Sequence, residues 1–166
     1  MMITLGVDPG TALLGYGLVS GEDEPSLITY GVVATTSVET MEERLLRVYD
    51  AVWGLIREHE PDVLAIEQLF FARNVTTALA VGQARGVVLL AAAQHGMPVF
   101  EYKPSEVKQA ISGYGKADKQ QMQHMVQMLL GLDEAPTPDD AADALAVAIC
   151  HVQLSRLTRQ YGIRTR

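Results

Sequence analysis

Short apolar runs of strand length, separated by turn residues or by stretches with helical spacing, constrain the fold of this chain more than any other feature. The first three runs follow one another so closely that only tight turns can connect them, which predicts an antiparallel meander. Asp8-Pro9-Gly10 ends the first run, and a polar turn at 21–25 separates the second from the third. These predicted strands span residues 2–8, 13–19 and 26–34.

The two remaining apolar runs each follow a long stretch with helical periodicity, and parallel strands need such helical crossovers. The order therefore predicts an α/β fold whose five-stranded mixed sheet combines the three-strand antiparallel meander with two parallel strands and is flanked by helices. Thr40 and Glu43 form the pattern of a capping box at the start of the first helix. The second helix is so rich in Ala, Gly and Val that we expect it to be buried on nearly all sides. The further strands are predicted at 61–67 and 97–102, and the helices at 39–59, 75–94, 104–112, 117–130 and 139–158.

The length of 166 residues and the composition fit one globular domain. Hydrophobic residues make up 48% of the chain and charged residues 20%, which excludes a disordered or low-complexity protein. No uninterrupted apolar run reaches membrane-spanning length, and the start lacks the pattern of a signal peptide, so we expect a cytoplasmic protein. The single cysteine, Cys150, excludes an intramolecular disulfide framework and any metal site built from several cysteines. A metal ion would therefore be bound by oxygen or histidine.

The net charge of −7 argues against a nucleic-acid partner, but the basic residues are concentrated in two places. The segment 103–119 carries +2, the last eleven residues carry +4, and the rest of the chain carries −13. Such asymmetry is typical of a polyanion-binding edge on an acidic body, although a solvated face and a frayed tail give the same pattern. The basic residues are Lys103, Lys108, Lys116 and Lys119, followed in the tail by Arg156, Arg159, Arg164 and Arg166.

Two acidic residues stand directly after apolar runs, at the ends of predicted strands. Asp8 closes the first strand and Glu67 closes the fourth. In an α/β sheet, ligands bind beyond the carboxyl ends of the parallel strands, and an unpaired carboxylate near the core is costly there. Each side chain is therefore a candidate for binding a cation or a proton. The simpler alternatives are a turn residue at Asp8 and a helix-capping acid at Glu67.

The last predicted helix begins with three acidic residues, Asp139, Asp140 and Asp143. Asp140 and Asp143 are three residues apart, so they project from the same face of the first turn. Acids at a helix N-terminus complement the helix dipole by about 0.3–1 kcal/mol each, which accounts for Asp139 or Asp140 without a further function. Asp143 precedes apolar residues and is expected to face the interior, a placement that the dipole does not explain.

If these acidic residues converge, their charges repel one another unless divalent cations lie between them. Ligands that are all oxygen select hard ions such as Mg²⁺ or Mn²⁺ rather than Zn²⁺. Two such ions about 3.5–4 Å apart can activate a water molecule and stabilise the leaving oxygen of a phosphodiester. The pattern therefore favours metal-dependent phosphodiester hydrolysis with two Mg²⁺ ions per site, or Mn²⁺ as a substitute.

Five short motifs occur in a characteristic order and together span nearly the whole chain. They are ITLGVDPG at 3–10, AIEQ at 65–68 followed by Phe70, GQARG at 82–86, VKQ at 107–109 and DAADALA at 140–146. With these motifs the chain resembles RuvC, the bacterial family of Holliday-junction resolvases in the RNase H-like superfamily. The resemblance implies an RNase H-like fold and a crossover junction endodeoxyribonuclease that cleaves four-way DNA junctions symmetrically in recombination and repair, leaving 5′-phosphate ends.

The resemblance also implies roles for the acidic residues and an assembly. The predicted nuclease domain spans 1–158, with a basic tail at 159–166. The small-residue helix is expected to form a homodimer, since two sites related by a two-fold axis suit the two equivalent strands of a four-way junction. The branch-migration proteins RuvA and RuvB are the further partners that the family implies. The residues that match the family's catalytic and Mg²⁺-binding acids are Asp8, Glu67, Asp140 and Asp143. The adjacent Asp139 leaves open whether it or Asp140 is the third ligand.

A set of basic and aromatic residues is predicted to contact DNA. Lys108 and Lys119 match family lysines that contact DNA near the scissile phosphate, and Phe70 matches an aromatic residue at the junction crossover. A large aromatic residue in a loop is costly to expose unless it packs on the core or stacks on a base. The full predicted DNA-binding set is Phe70, Phe71, Arg73, Asn74, Lys108, Lys116 and Lys119.

Two other functions stay open. An RNA-processing nuclease of the YqgF type shares the fold and an opening strand that ends in Asp, and a junction-binding protein without catalytic activity would have the same basic patches. Asp143 favours an enzyme over a pure binding protein, because a binding protein has no use for an acid beside bound phosphate. An actin-like ATPase is disfavoured, since the chain is short and lacks a second phosphate-binding half.

Overall fold

The computed structural model describes residues 1–69 and 75–161, and the elements in these ranges are those that the periodicity predicts. In chain order they are β1 (Ile3–Asp8), β2 (Leu13–Ser20), β3 (Ser26–Ala34), α1 (Met41–His59), β4 (Val63–Glu67), α2 (Val75–Gln94), β5 (Val99–Tyr102), α3 (Pro104–Ser112), α4 (Lys119–Leu130) and α5 (Asp139–Tyr161). α5 continues past its predicted end at 158, so the first residues of the predicted basic tail are helical. The remainder of that tail, 162–166, lies outside the described residues, and the domain boundary at 158 stays a prediction.

β1 lies at the centre of one mixed sheet with the strand order β3-β2-β1-β4-β5. The pairs β1–β2 and β2–β3 are antiparallel and form the predicted meander. β4 joins the other edge of β1 in parallel, and β5 joins β4 in parallel. α1 and α2 provide the crossovers that these parallel pairings require. The mixed five-stranded sheet predicted from the sequence is thus confirmed.

α1 begins with the capping box that its sequence predicts. The Thr40 hydroxyl accepts a hydrogen bond from the backbone N–H of Glu43 at 3.4 Å, and the Glu43 carboxylate accepts one from the backbone N–H of Thr40 at 2.8 Å. Two backbone donors that have no partner within the helix are thereby satisfied. The helix starts at Met41 as a consequence.

Hydrophobic side chains cover the two faces of the sheet in separate clusters. On one face, Leu5 and Val7 of β1 pack with α1 and α2, and on the other face α5 packs with α3 and α4. Successive side chains along a strand point to opposite faces, so β1 supplies these two residues to one cluster and presents Gly6 to α5. Each fully buried aliphatic side chain contributes roughly 1.5–3 kcal/mol, which makes these clusters the main source of stability.

α5 lies close against the sheet because β1 and β2 present glycine beneath it. A Cβ atom at Gly6 would overlap the main-chain oxygen of Ala144, and a Cβ atom at Gly15 would overlap the main-chain oxygen of Asp140. Gly15 also pairs with Asp8 across the antiparallel β1–β2 ladder. The first turn of α5 is therefore held against the carboxyl end of β1.

α2 is not buried on nearly all sides, so that prediction is wrong. Ala84, Val88 and Ala91 face the core, but the opposite face is open, with Leu79 63% exposed and Leu90 52% exposed. Small residues fit equally well in a core and at a surface, so an Ala- and Gly-rich sequence does not reveal which face of its helix packs. The exposed α2 stripe comprises Leu79, Gln83, Gly86 and Leu90, at helical spacing.

One helical stretch within the described residues, Thr76–Gln94 in α2, is long and apolar enough to cross a membrane by length and composition alone. Gln83 and Arg85 lie within this stretch, so it is not an uninterrupted apolar run. The core-facing side of α2 nevertheless packs against the sheet and α1, as a helix of a globular domain does.

We expect Gly15→Ala to destabilise the fold, because the added methyl group would collide with a main-chain oxygen that has no rotamer to change. Overpacking of this kind costs about 1–3 kcal/mol in the free energy of unfolding, which a urea titration measures. The matched control is Gly54→Ala in the exposed middle of α1, where nothing lies within 4 Å of a Cβ atom. This control should gain roughly 0.5–1 kcal/mol from its helix propensity. Equal unfolding free energies for the two variants would contradict the close approach of α5.

Candidate active site

A cavity of about 340 Å³ opens at the carboxyl ends of the parallel strands β1 and β4, beside α5. Asp8 is the last residue of β1 and Glu67 is the last residue of β4. Because Val7 and Ile66 pair in parallel register, the acidic residues that follow them lie at the same edge of the sheet. Both acidic side chains line the cavity, in agreement with the strand-end rule.

α5 adds Asp143 to the acids that line the cavity, close to its own N-terminus. Its neighbour Asp140 acts electrostatically on both Asp8 and Asp143. The close approach of α5 explains this convergence, because Gly15 pairs with Asp8 and lies beneath the main chain of Asp140. Acids that are far apart in the sequence are thus brought to one edge of the sheet.

Burial and neighbouring carboxylates raise the pKa of three of these acids. Desolvation is the main cause of the rise in the pKa of Asp8 from 3.8 to about 7. The negative charges of Asp143, Asp140 and Glu67 raise it further. Burial also raises the pKa of Glu67 and the pKa of Asp143. The carboxylates therefore share one electrostatic environment, in which the charge of Asp143 opposes the ionisation of both Asp8 and Glu67.

Asp143 faces the cavity rather than the protein interior, which corrects the orientation expected from its apolar neighbours. Its side chain is 46% exposed. The residues on either side of it, Ala142 and Ala144, are buried. α5 therefore turns these small residues towards the core and leaves the acid at the open edge of the sheet.

Asp139 and Asp140, which the sequence left as alternatives for one site position, have different surroundings. Asp139 accepts a hydrogen bond from Gln123 at 2.6 Å and forms an ion pair with Lys119 at 2.9 Å. The hydrogen bond from Lys119 is the main reason that the pKa of Asp139 is lowered. The charge of Asp140 instead raises the pKa of Asp8, so it is Asp140 that acts on the end of β1.

The donor set fits a hard divalent cation, although the carboxylates are not grouped around one position. Within 1–69 and 75–161, no three acidic, histidine or cysteine side chains lie close enough together to hold an ion. Repulsion between like charges favours such separation, and a cation between the carboxylates would remove the repulsion. The cavity acids offer only oxygen ligands, which Mg²⁺ and Mn²⁺ prefer. A bound cation would also favour the ionised form of Asp8, which burial opposes.

Comparison with known proteins identifies the family. A family model described as "Crossover junction endodeoxyribonuclease RuvC" matches residues 4–151. The chain belongs to the RuvC family. The RuvC protein of Thermomicrobium roseum is 57% identical over 155 residues, which cover 93% of this chain and 95% of that relative. The RuvC protein of Desulfitobacterium hafniense is 54% identical over 162 residues, which cover 97% of this chain and 98% of that relative.

The similarity to RuvC extends to the three-dimensional structure. The T. thermophilus RuvC structure in complex with Holliday junction substrate matches with a TM-score of 0.91 at 40% sequence identity, covering 95% of this chain and 96% of that chain. The RNase H-like fold that the motifs imply is therefore confirmed, and so is the resemblance to RuvC. RuvC proteins are named as endodeoxyribonucleases, which are hydrolases of phosphodiester bonds.

The residues predicted to contact DNA fall into two groups. Lys108 of α3 and Lys119 of α4 line the cavity beside the acids of the RuvC motifs. Lys116 is exposed in the segment between these two helices. The other four residues of the set lie outside the described residues, and they are Phe70, Phe71, Arg73 and Asn74.

Arg85 is a residue at this edge whose role sequence reasoning missed. It belongs to the GQARG motif that the chain shares with RuvC, but the motif alone assigns it no contact. Its buried side chain donates to the main-chain oxygen of Glu67 at 2.7 Å and pairs with the Glu101 carboxylate at 2.7 Å. The sequence does contain a signal for this role, which is an arginine within an Ala- and Gly-rich helix. A buried guanidinium needs polar partners, so such an arginine indicates contacts with other parts of the fold.

We expect Asp8→Asn to remove a pH dependence from the stability of the metal-free protein. The pKa of Asp8 is about 7 in the folded chain and has its ordinary value of 3.8 in the unfolded chain, so the folded state keeps this proton to higher pH. The resulting stability is present below about pH 4 and is lost as the pH rises through about 7, by at most about 4 kcal/mol. The amide introduced by Asp8→Asn resembles the protonated acid, so the variant should keep its stability at pH 8.

Urea unfolding in EDTA between pH 4 and pH 8 measures this difference. Asp50→Asn, which removes an exposed carboxylate from α1, is the control for the loss of one acid. Parallel pH profiles for wild type and Asp8→Asn would contradict the burial of Asp8 among other carboxylates.

Proposed function

We propose that this protein is a Mg²⁺-dependent crossover junction endodeoxyribonuclease that nicks two strands of like polarity in a four-way DNA junction. One observation carries the proposal: three acids of the RuvC motifs and two lysines line a single cavity in a chain of the RuvC family. Carboxylates bind divalent cations and lysines bind phosphate, so the cavity combines both requirements of phosphodiester hydrolysis. The T. thermophilus relative in complex with Holliday junction substrate supports a four-way junction as the substrate.

Two ions per site are proposed, with Mn²⁺ as a substitute for Mg²⁺. When bound, the ions supply Lewis-acid stabilisation of the attacked phosphate and its leaving oxygen. The chain holds their ligands on rigid elements, two at the ends of paired strands and two on the first turns of α5, which fixes geometry better than a loop does. Asp139 is left out of the set because it is engaged with Lys119. The proposed ligands are Asp8, Glu67, Asp140 and Asp143.

The two cavity lysines are proposed to bind phosphate groups near the cleavage point. Lys119 pairs with Asp139 at 2.9 Å and lies 4.0 Å from Asp143, and its side chain is exposed. Exposed ion pairs of this kind are weak, so a DNA phosphate can replace the carboxylate as the partner of the ammonium group. Lys108 is the other cavity lysine, and the remaining proposed DNA contacts are Lys116, Phe70, Phe71, Arg73 and Asn74.

A homodimer accounts for the exposed α2 stripe. Leu79 and Leu90 lie on one face of the helix with Gly86 between them, and nothing lies within 4 Å of a Cβ atom placed at Gly86. An apolar stripe with a small residue at its centre suits a second copy of the same helix, because it lets two helices pack closely. A two-fold dimer would present one site to each of two equivalent junction strands.

The proposed reaction leaves 5′-phosphate ends and serves DNA recombination and repair in the cytoplasm, with RuvA and RuvB as partners at the junction. An RNA-processing nuclease of the YqgF type is the rival enzyme, and a junction-binding protein without catalysis is the rival of another class. The raised pKa of Asp8 disfavours the pure binding protein, because carboxylates beside bound phosphate weaken binding unless cations lie between them.

We expect Asp8→Asn to fold and to bind a four-way junction but not to cleave it, because the amide removes a charged ligand from the end of β1. Cleavage of a labelled mobile junction in Mg²⁺ should be at least about 100-fold slower than in the wild type, while binding in EDTA is retained. Asp50→Asn should cleave at the wild-type rate. Wild-type cleavage by Asp8→Asn would end the proposal.

The same assay separates the rivals when structured RNA and linear duplex DNA are included as substrates. Cleavage of the RNA but not of the junction would identify the YqgF-type activity. Binding of the junction with no cleavage by the wild type at any Mg²⁺ concentration would identify the non-catalytic protein.

We expect the double variant Leu79→Glu, Leu90→Glu to be monomeric at concentrations at which the wild type is dimeric, because two charges would be buried without partners in the interface. Sedimentation equilibrium measures the mass. Leu46→Glu, at a 59% exposed position of α1, is the control and should keep the wild-type mass. A monomeric wild type, or an unchanged dimer in the double variant, would rule out α2 as the interface.

A further inference from the structure

Arg85 projects from α2 towards the sheet edge that carries the candidate site. The residue is 8% exposed, and its guanidinium donates to the main-chain oxygen of Glu67 while it pairs with the Glu101 carboxylate, each at 2.7 Å. Glu67 and Glu101 belong to the neighbouring parallel strands β4 and β5. One side chain therefore joins the ends of two strands to α2.

The peptide unit between Glu67 and Gln68 is held at both of its polar atoms. Its oxygen accepts the hydrogen bond from Arg85, and its N–H, which belongs to Gln68, donates to the main-chain oxygen of Tyr102 at 2.8 Å. Two contacts on opposite ends of a planar unit fix its orientation. That orientation fixes the torsion ψ at Glu67, and the rotamers open to the Glu67 side chain depend on this torsion.

The guanidinium lies directly beside the site. Arg85 lines a second cavity of about 220 Å³, and this cavity shares Asp8, Glu67 and Pro104 with the larger one. The charge of Arg85 is taken up by Glu101, so its contact with Glu67 is made to the main chain rather than to the carboxylate. The Glu67 carboxylate thus stays available to the larger cavity.

We propose that Arg85 is a positioning residue that fixes the Glu67–Gln68 peptide and thereby directs the Glu67 carboxylate into the active-site cavity. The inference rests on the proposed nuclease function and deepens it. Stability alone does not account for the arrangement, because the Glu101 side chain is 44% exposed and an ion pair that is open to solvent contributes little. Arginine suits the role, since its planar fork donates to two acceptors at once, whereas lysine offers a single point charge.

Three variants separate positioning from stability. Arg85→Gln removes the ion pair and shortens the side chain, and Arg85→Lys keeps the charge beside Glu101 but loses the fork. Val88→Ala is the matched control, because it removes buried volume from the same helix at a residue in the core cluster of α1 and α2. Junction Kd and the single-turnover cleavage rate are measured at a temperature at which all three variants are folded.

We expect both Arg85 variants to cleave at least about tenfold more slowly than the wild type with junction Kd within about threefold, because a displaced ligand affects the reaction more than binding. Val88→Ala should cleave at the wild-type rate. A wild-type rate in either Arg85 variant, or an equal loss of rate in Val88→Ala, would overturn the proposal.

Hydrogen exchange at the Gln68 amide tests whether Arg85 fixes the Glu67–Gln68 peptide, and it needs no cleavage reaction. We expect this amide to exchange at least about tenfold faster in both Arg85 variants, with the amides of β1 unchanged, and to keep wild-type protection in Val88→Ala. Unchanged protection at Gln68 in the Arg85 variants would overturn the proposal. If the wild type cleaves no junction in Mg²⁺, the proposed function fails, and the exchange still decides whether Arg85 fixes this peptide.

Discussion

The rest of the structure depends on the free energy needed to hold several carboxylates at one edge of the sheet. Desolvation and like charges act on the same group, and the pKa of Asp8 reaches about 7 as a result. Both effects oppose the native arrangement of the metal-free chain at neutral pH. The hydrophobic clusters on the two faces of the sheet offset this cost, because they bury aliphatic side chains from every central strand and from all five described helices. The free energy gained in the hydrophobic core thus offsets the unfavourable free energy of placing the carboxylates together at the sheet edge.

Three cationic side chains surround the carboxylates, and they differ in how firmly they are held. Arg85 is buried with two partners, so its position is part of the fold. Lys119 is exposed and paired with Asp139 at the rim, so its partner can change without a rearrangement of the core. Lys108 lines the cavity from α3. Arg85 therefore has a structural role, because it orients the backbone. Lys108 and Lys119 remain able to bind a ligand.

The sequence predicted the elements that carry the site but not all of the contacts between them. Asp8 and Glu67 were placed correctly because each ends a strand, and strand ends of parallel neighbours meet at one edge. The sequence did not separate Asp139 from Asp140, since adjacent positions on a helix differ by about 100° and only the packing of α5 shows which one faces β1. The role of Arg85 was missed because its two partners, on β4 and β5, become its neighbours only after the sheet has formed. The burial of α2 was overestimated because small apolar residues fit a core and an interface equally well.

The glycines beneath α5 also bear on how such a chain can diverge over evolutionary time. At most core positions a larger residue is accommodated when a neighbour becomes smaller, so volume is exchanged among side chains as sequences drift. At positions 6 and 15 the atoms in the way are carbonyl oxygens of α5, which no compensating substitution can shrink. A side chain at either position therefore costs folding free energy, so these glycines constrain the sequence although they contribute no functional group, and the convergence of the acids depends on them.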